Sequence, residues 1–192
     1  MIDFAHLPEY RTEVPQRSFL GTYEQALAIS SEHQAQIHFL NPEATAFIQA
    51  YLNNSHMFAG GPMPGNPASP FRPGYFKQLE HLPSYSDQTL KKWLYHRGIP
   101  FSKYVLLYVD TLSSSEQAVL LTWKMVLKYA AGIFVPVEQL LFDQTLNWGL
   151  FYDHWKGFSF GQDKVLDNEV EYQKMAELAE LKKKYPFIKT PY

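Results

Sequence analysis

The chain has 192 residues, a formal net charge of −2, 46% hydrophobic and 16% aromatic residues, and no cysteine. That length suits one compact domain, and the apolar share allows a sizeable core. The near-neutral charge argues against a surface built to gather nucleic acid, and the missing thiols exclude cysteine nucleophiles, thiolate metal sites and disulfide staples.

The first fourteen residues, MIDFAHLPEYRTEV, lack the basic start and apolar run of a signal peptide, and no window reaches the ~18 apolar residues of a membrane span. A reducing cytoplasm is the expected location. Residues 1–19 carry two prolines without hydrophobic period and read as an irregular arm, lying over the domain or mobile. Thr22 is positioned to cap a helix over Tyr23–Ser31 with Ala26 and Ile29 facing inward. Gln36–Leu40 reads as a short strand. Asn41-Pro42-Glu43 then opens a helix, with a capping side chain, a first-turn proline and an acid at the positive dipole end. Phe47, Ile48, Tyr51 and Leu52 follow at helical spacing, and the helix is expected to end near Asn53-Asn54.

Residues 57–74 hold four glycines and five prolines in eighteen positions, which neither a helix nor an inner strand tolerates. They read as a long loop within one domain, since the fifty-odd residues before them bury little alone. Tyr75–His81 then resembles a short helical turn. Ser86 caps a helix over Asp87–Arg97 that presents Leu90, Trp93 and Leu94 on one face and stops at Gly98 and Pro100. Tyr104–Asp110 is apolar and short enough for a buried strand. The next stretch allows two readings: a strand Ala118–Leu121 followed by a helix capped by Thr122, or one buried helix from Glu116 to Ala131. The first is preferred.

Leu140–Phe142, Asn147–His154 and Gly157–Phe160 read as strands. Alternation places Trp148, Leu150, Tyr152 and His154 on one face and Gly149, Phe151 and Asp153 on the other. Gly157 supplies the positive φ that a tight hairpin needs. Asp167 caps a closing helix whose acids come early and lysines late. The expected class is α+β, a single domain over 1–192: N-terminal helices, an antiparallel sheet in the C-terminal half, and a C-terminal helix.

Chemistry is harder to find. None of the seven histidines forms the helical i, i+4 pair with an intervening glutamate of a zinc peptidase, and no Gly-x-Ser-x-Gly elbow exists. Gly60-Gly61 and Gly65 precede no Lys-Ser/Thr, so the phosphate-cradling loop lacks its cation. Ser113-Ser114-Ser115 fits a turn, and Lys182-Lys183-Lys184 answers a helix dipole. Asn53-Asn54-Ser55 fits a glycosylation sequon but has no secretion signal to support it. Asp143, Asp153 and His154 lie on neighbouring strands where they would converge in an enzyme, although hairpin ends are ordinarily polar and solvated. No catalytic group, metal or cofactor is assigned.

The segment Leu140–Gly161 resembles the small bacterial immunity proteins that protect against polymorphic toxins. The matching pieces are Phe142-Asp143, Asn147-Trp148, Tyr152-Asp153-His154 and Gly157-Phe158-Ser159-Phe160-Gly161, roughly a ninth of the chain; the first 100 residues match no such family. The resemblance implies non-enzymatic binding of a toxin domain. The expected function is therefore protein binding, with Tyr152, Asp153, His154, Trp155 and Lys156 at the hairpin and Phe71 and Arg72 in the long loop as a second patch. A small-molecule enzyme with a carboxylate/histidine site at the sheet edge is the alternative.

Overall fold

The computed structural model describes residues 2–15, 17–53, 78–97, 103–109, 117–134, 138–153, 155 and 157–162, with 176–177, 179–180, 182–184 and 186 in the C-terminal stretch. A seven-stranded antiparallel sheet organises them. Its strands are β3 (Ile37–Phe39), β4 (Gln78–Leu82), β5 (Val105–Val109), β6 (Gln117–Leu121), β7 (Gln139–Phe142), β8 (Trp148–Asp153) and β9 (Gly157–Gln162), in the spatial order β3-β6-β5-β7-β8-β9-β4. β1 (Arg17–Ser18) and β2 (Gly21–Thr22) form a separate two-residue ladder. The fold is α+β, and most of the sheet comes from the C-terminal half. Its two edges do not: β3 and β4 come from earlier in the chain.

The central strands are buried on both faces, which is why VLLYV and WGLFY read as nearly unbroken apolar runs. Alternation sorts their side chains into two cores. On one face Leu106, Tyr108, Leu120, Leu140, Phe142 and Phe151 pack under helix α3 (Pro42–Asn53) and the N-terminal arm. On the other, Leu107, Val119, Leu121, Leu141, Trp148, Leu150, Tyr152, Phe158 and Phe160 meet α4 (Asp87–Tyr95) and α5 (Trp123–Ile133). The register explains this division. Leu150 lies opposite Phe160 and Tyr152 opposite Phe158, so four large side chains share the α4/α5 face.

Helix starts follow their capping side chains. Asn41 Oδ1 accepts the Ala44 N–H at 2.9 Å, Ser86 and Thr89 form a reciprocal box, and Thr122 accepts from the Met125 N–H. With Thr122 as cap, the stretch after β5 is strand then helix, not one helix. α5 leaves helical geometry at Tyr129, and Gly132 lets the Phe19 carbonyl approach so closely that a Cβ there would sit 2.4 Å from it.

The N-terminal arm lies over the domain. Ile2 and Leu7 are buried, and Phe4 stacks edge-on against Phe47 and Tyr51 at 5.3 and 4.7 Å. Two expected helices differ. α1 (Tyr23–Leu27) stops short of Ser31, and Ser30, in extended conformation, opens a separate short helix, α2 (Ser31–Gln34). The Gln34 amide donates to the carbonyls of Leu27 and Ile29, the acceptors a continuing helix would have used. The helical turn expected at Tyr75–His81 is corrected to strand over its described part: Gln78–Leu82 pairs with β9 across five residues. Leu79 and His81 point to one side and Glu80 and Leu82 to the other, a period of two that short length concealed. Residues 57–74 lie outside the described residues, as does most of the closing helix; its described positions between 176 and 184 are helical and exposed. No helix among the described residues is long and apolar enough to cross a membrane.

Candidate functional site

The hairpin between β8 and β9 carries the site that the sequence nominates. Its last ladder pair is Asp153↔Gly157. Asp153 Oδ1 accepts the backbone N–H of Trp155 at 2.8 Å, an Asx-type bond that folds the turn onto its own carboxylate. Gly157 closes it with φ +88°, and a Cβ there would lie 2.1 Å from the Leu82 carbonyl oxygen. The turn therefore needs glycine for conformation and for room against β4. Trp155 is 83% exposed, the most exposed large apolar residue among those described.

The expected residues do not act as one group. Tyr152 is corrected: it is 6% exposed, and its ring packs against Phe158 at 4.9 Å and Phe134 at 5.6 Å. The Tyr85 hydroxyl donates to the Tyr152 hydroxyl at 3.0 Å, sealing it from above. Burial, with that hydrogen bond, holds the Tyr85 phenol well above its ordinary pKa. Alternation predicts which face Tyr152 takes, but only the arrival of Tyr85 and Phe134 from distant elements makes that face a core. Asp153 is half-buried and builds the turn. His154, Lys156, Phe71 and Arg72 lie outside the described residues.

Asp143 and Asp153 do not converge. Asp143 follows the Phe142↔Gly149 pair, at the opposite end of β8 from Asp153, a separation of roughly 15 Å at the ~3.3 Å rise of a strand. Asp143 is fully buried and serves its own turn: Oδ1 accepts from the Thr145 N–H at 2.9 Å and from the Thr145 hydroxyl. Leu146, held at φ +56°, completes that turn with its N–H on the Asp143 carbonyl. Among the described residues no group of three histidines or acids is placed to hold a metal ion.

A second apolar feature escaped the sequence reading. Tyr23 and Leu27, 37% and 51% exposed, stand on α1 beside a groove at the β3 edge. Their i, i+4 spacing is visible in the sequence, but Ala26 and Ile29 on the same stretch read as the inward face, and nothing local shows that Tyr23 and Leu27 stay uncovered.

The described residues thus define an antiparallel α+β protein whose β8–β9 hairpin exposes one tryptophan. Compared with known proteins, the chain matches no protein-family model, no curated protein and no solved structure.

Proposed function

We propose that this chain is a non-enzymatic protein-binding protein of the bacterial cytoplasm, an immunity (antitoxin) protein that occludes a toxin domain. The observation that supports the reading is Trp155: a large amphipathic ring, 83% exposed, on a turn fixed from both sides by Asp153 and Gly157. Exposing an indole wastes the burial it would gain inside, and tryptophan anchors dominate binding energy where they fill a partner's pocket. A preorganised anchor loses little conformational freedom on docking. Asp153 sets a carboxylate beside the ring, suited to a partner whose active cleft is basic.

The test uses immobilised wild-type chain and its Trp155→Ala variant with extract of the native host. The reading expects a protein that the first retains and the second releases, and whose toxicity on expression alone is suppressed by co-expressing the wild-type chain. Equal retention by both baits, or a retained protein with no toxicity, contradicts it.

A further inference from the structure

The sheet ends on one side at β3, four strand positions from β8 and so roughly 19 Å from the hairpin at ~4.8 Å per strand. The Thr122 N–H donates to the Gln36 carbonyl and the Leu40 N–H to the Ala118 carbonyl, so even-numbered residues of this segment bond β6. In an antiparallel ladder the odd-numbered ones then face outward. The N-terminal arm takes up part of that outer edge: the Thr12 N–H donates to the Phe39 carbonyl and the Asn41 N–H to the Tyr10 carbonyl, both at 2.8 Å. There the arm leaves. The N–H and C=O of Ile37 and the N–H of Phe39 have no partner among the described residues.

Where the arm diverges, a groove of about 340 Å3 opens between it, α1 and β3. Val14, Leu20, Leu27, Ile29, Ile37 and Phe39 give it an apolar lining. Two charges stand on it, Arg11 and Glu13, both exposed and neither in an ion pair among the described residues. They are two residues apart, and both line the groove. Unpaired edge amides beside apolar pockets are the recognition chemistry of strand addition: backbone bonds hold the segment and alternate side chains fill the groove.

We propose that this edge docks an extended peptide, added antiparallel to β3 at Ile37 as a continuation of the ladder the arm begins. Charge complementarity defines its composition: apolar residues alternating with an acid and a base two positions apart, the acid answering Arg11 and the base answering Glu13. The site is independent of Trp155.

The probe is a blocked heptapeptide, Thr-Val-Glu-Val-Lys-Val-Thr, titrated into the full chain with amide hydrogen exchange and fluorescence anisotropy as readouts. Binding with a dissociation constant below ~1 mM is expected, with protection of the Ile37 and Phe39 amides on saturation. N-methylating alternate peptide amides weakens it about tenfold or more. Leu27→Asp, a change at an exposed position, does the same, and Arg11→Glu is rescued by a peptide with lysine in place of its glutamate. Trp155→Ala leaves all of this unchanged, which separates failure here from failure at the hairpin. No saturable binding overturns the proposal, as does equal binding of the N-methylated peptide. So does concentration-dependent protection of Ile37 and Phe39 without peptide, which assigns the edge to a second copy of the chain.

Discussion

Asp153 and Trp155 are joined by a 2.8 Å hydrogen bond from the tryptophan backbone N–H to the aspartate Oδ1. The residue that displays the ring is thus oriented by the carboxylate two positions before it. Asp153→Ala removes the acceptor and leaves the ring mobile. Its expected cost is about 1 kcal/mol of folding stability by urea unfolding and, under the proposed binding role, faster dissociation of the partner in surface-plasmon measurements. Asp153→Asn keeps an acceptor oxygen and is expected to retain most of the stability.

Gly157→Ala faces both a positive φ and the Leu82 carbonyl oxygen 2.1 Å from the new Cβ. The backbone of β4 or of the turn must shift, at an expected cost of about 2 kcal/mol or more. Urea unfolding measures it. A variant as stable as wild type would mean that the contact with β4 is not maintained in solution.

Arg97 ties edge strand β4 to α4. Its guanidinium lies 4.3 Å from the Trp93 ring centroid and 5.1 Å from that of Phe160, and it pairs with Glu80. Planar stacking and a carboxylate contact at one site suit arginine better than lysine. Arg97→Lys is expected to destabilise by about 1 kcal/mol, with faster amide exchange at Leu79 and His81 than at β8.

His38 gives a pH dependence. Burial, then the positive charges of Arg11 and Lys103, hold its pKa below the ordinary 6.5, and its Nε2 lies 3.1 Å from the Tyr104 hydroxyl. The unfolded chain therefore binds the proton more readily than the folded one, so stability is lost as pH falls below 6.5 toward the lower folded value. Unfolding midpoints between pH 7.5 and about 5 are expected to fall more steeply for wild type than for His38→Gln. Matching slopes would show that His38 does not carry the effect.

Much of this fold is written locally. Asn41, Ser86 and Thr122 start helices where their side chains meet free N–H groups, and Gly157 marks its turn by the φ it alone accepts at low cost. What stayed hidden depended on distant partners. Gln78–Leu82 is an edge strand because β9 lies beside it, and α1 stops where the Gln34 amide takes the Leu27 carbonyl. The same limit applied at the hairpin. Tyr152 and Trp155 are both aromatic and three residues apart, yet Tyr85 and Phe134 bury the first, while the tight turn projects the second outward.

On the proposed reading, Trp155 serves binding and not folding. The direct measurement is the Trp155→Ala variant in parallel urea unfolding and partner titration. The expected result is a folding free energy within ~0.5 kcal/mol of wild type and a binding loss of about 2 kcal/mol or more, roughly thirtyfold in affinity. A variant that unfolds early, or that binds its partner as tightly as wild type, would contradict it.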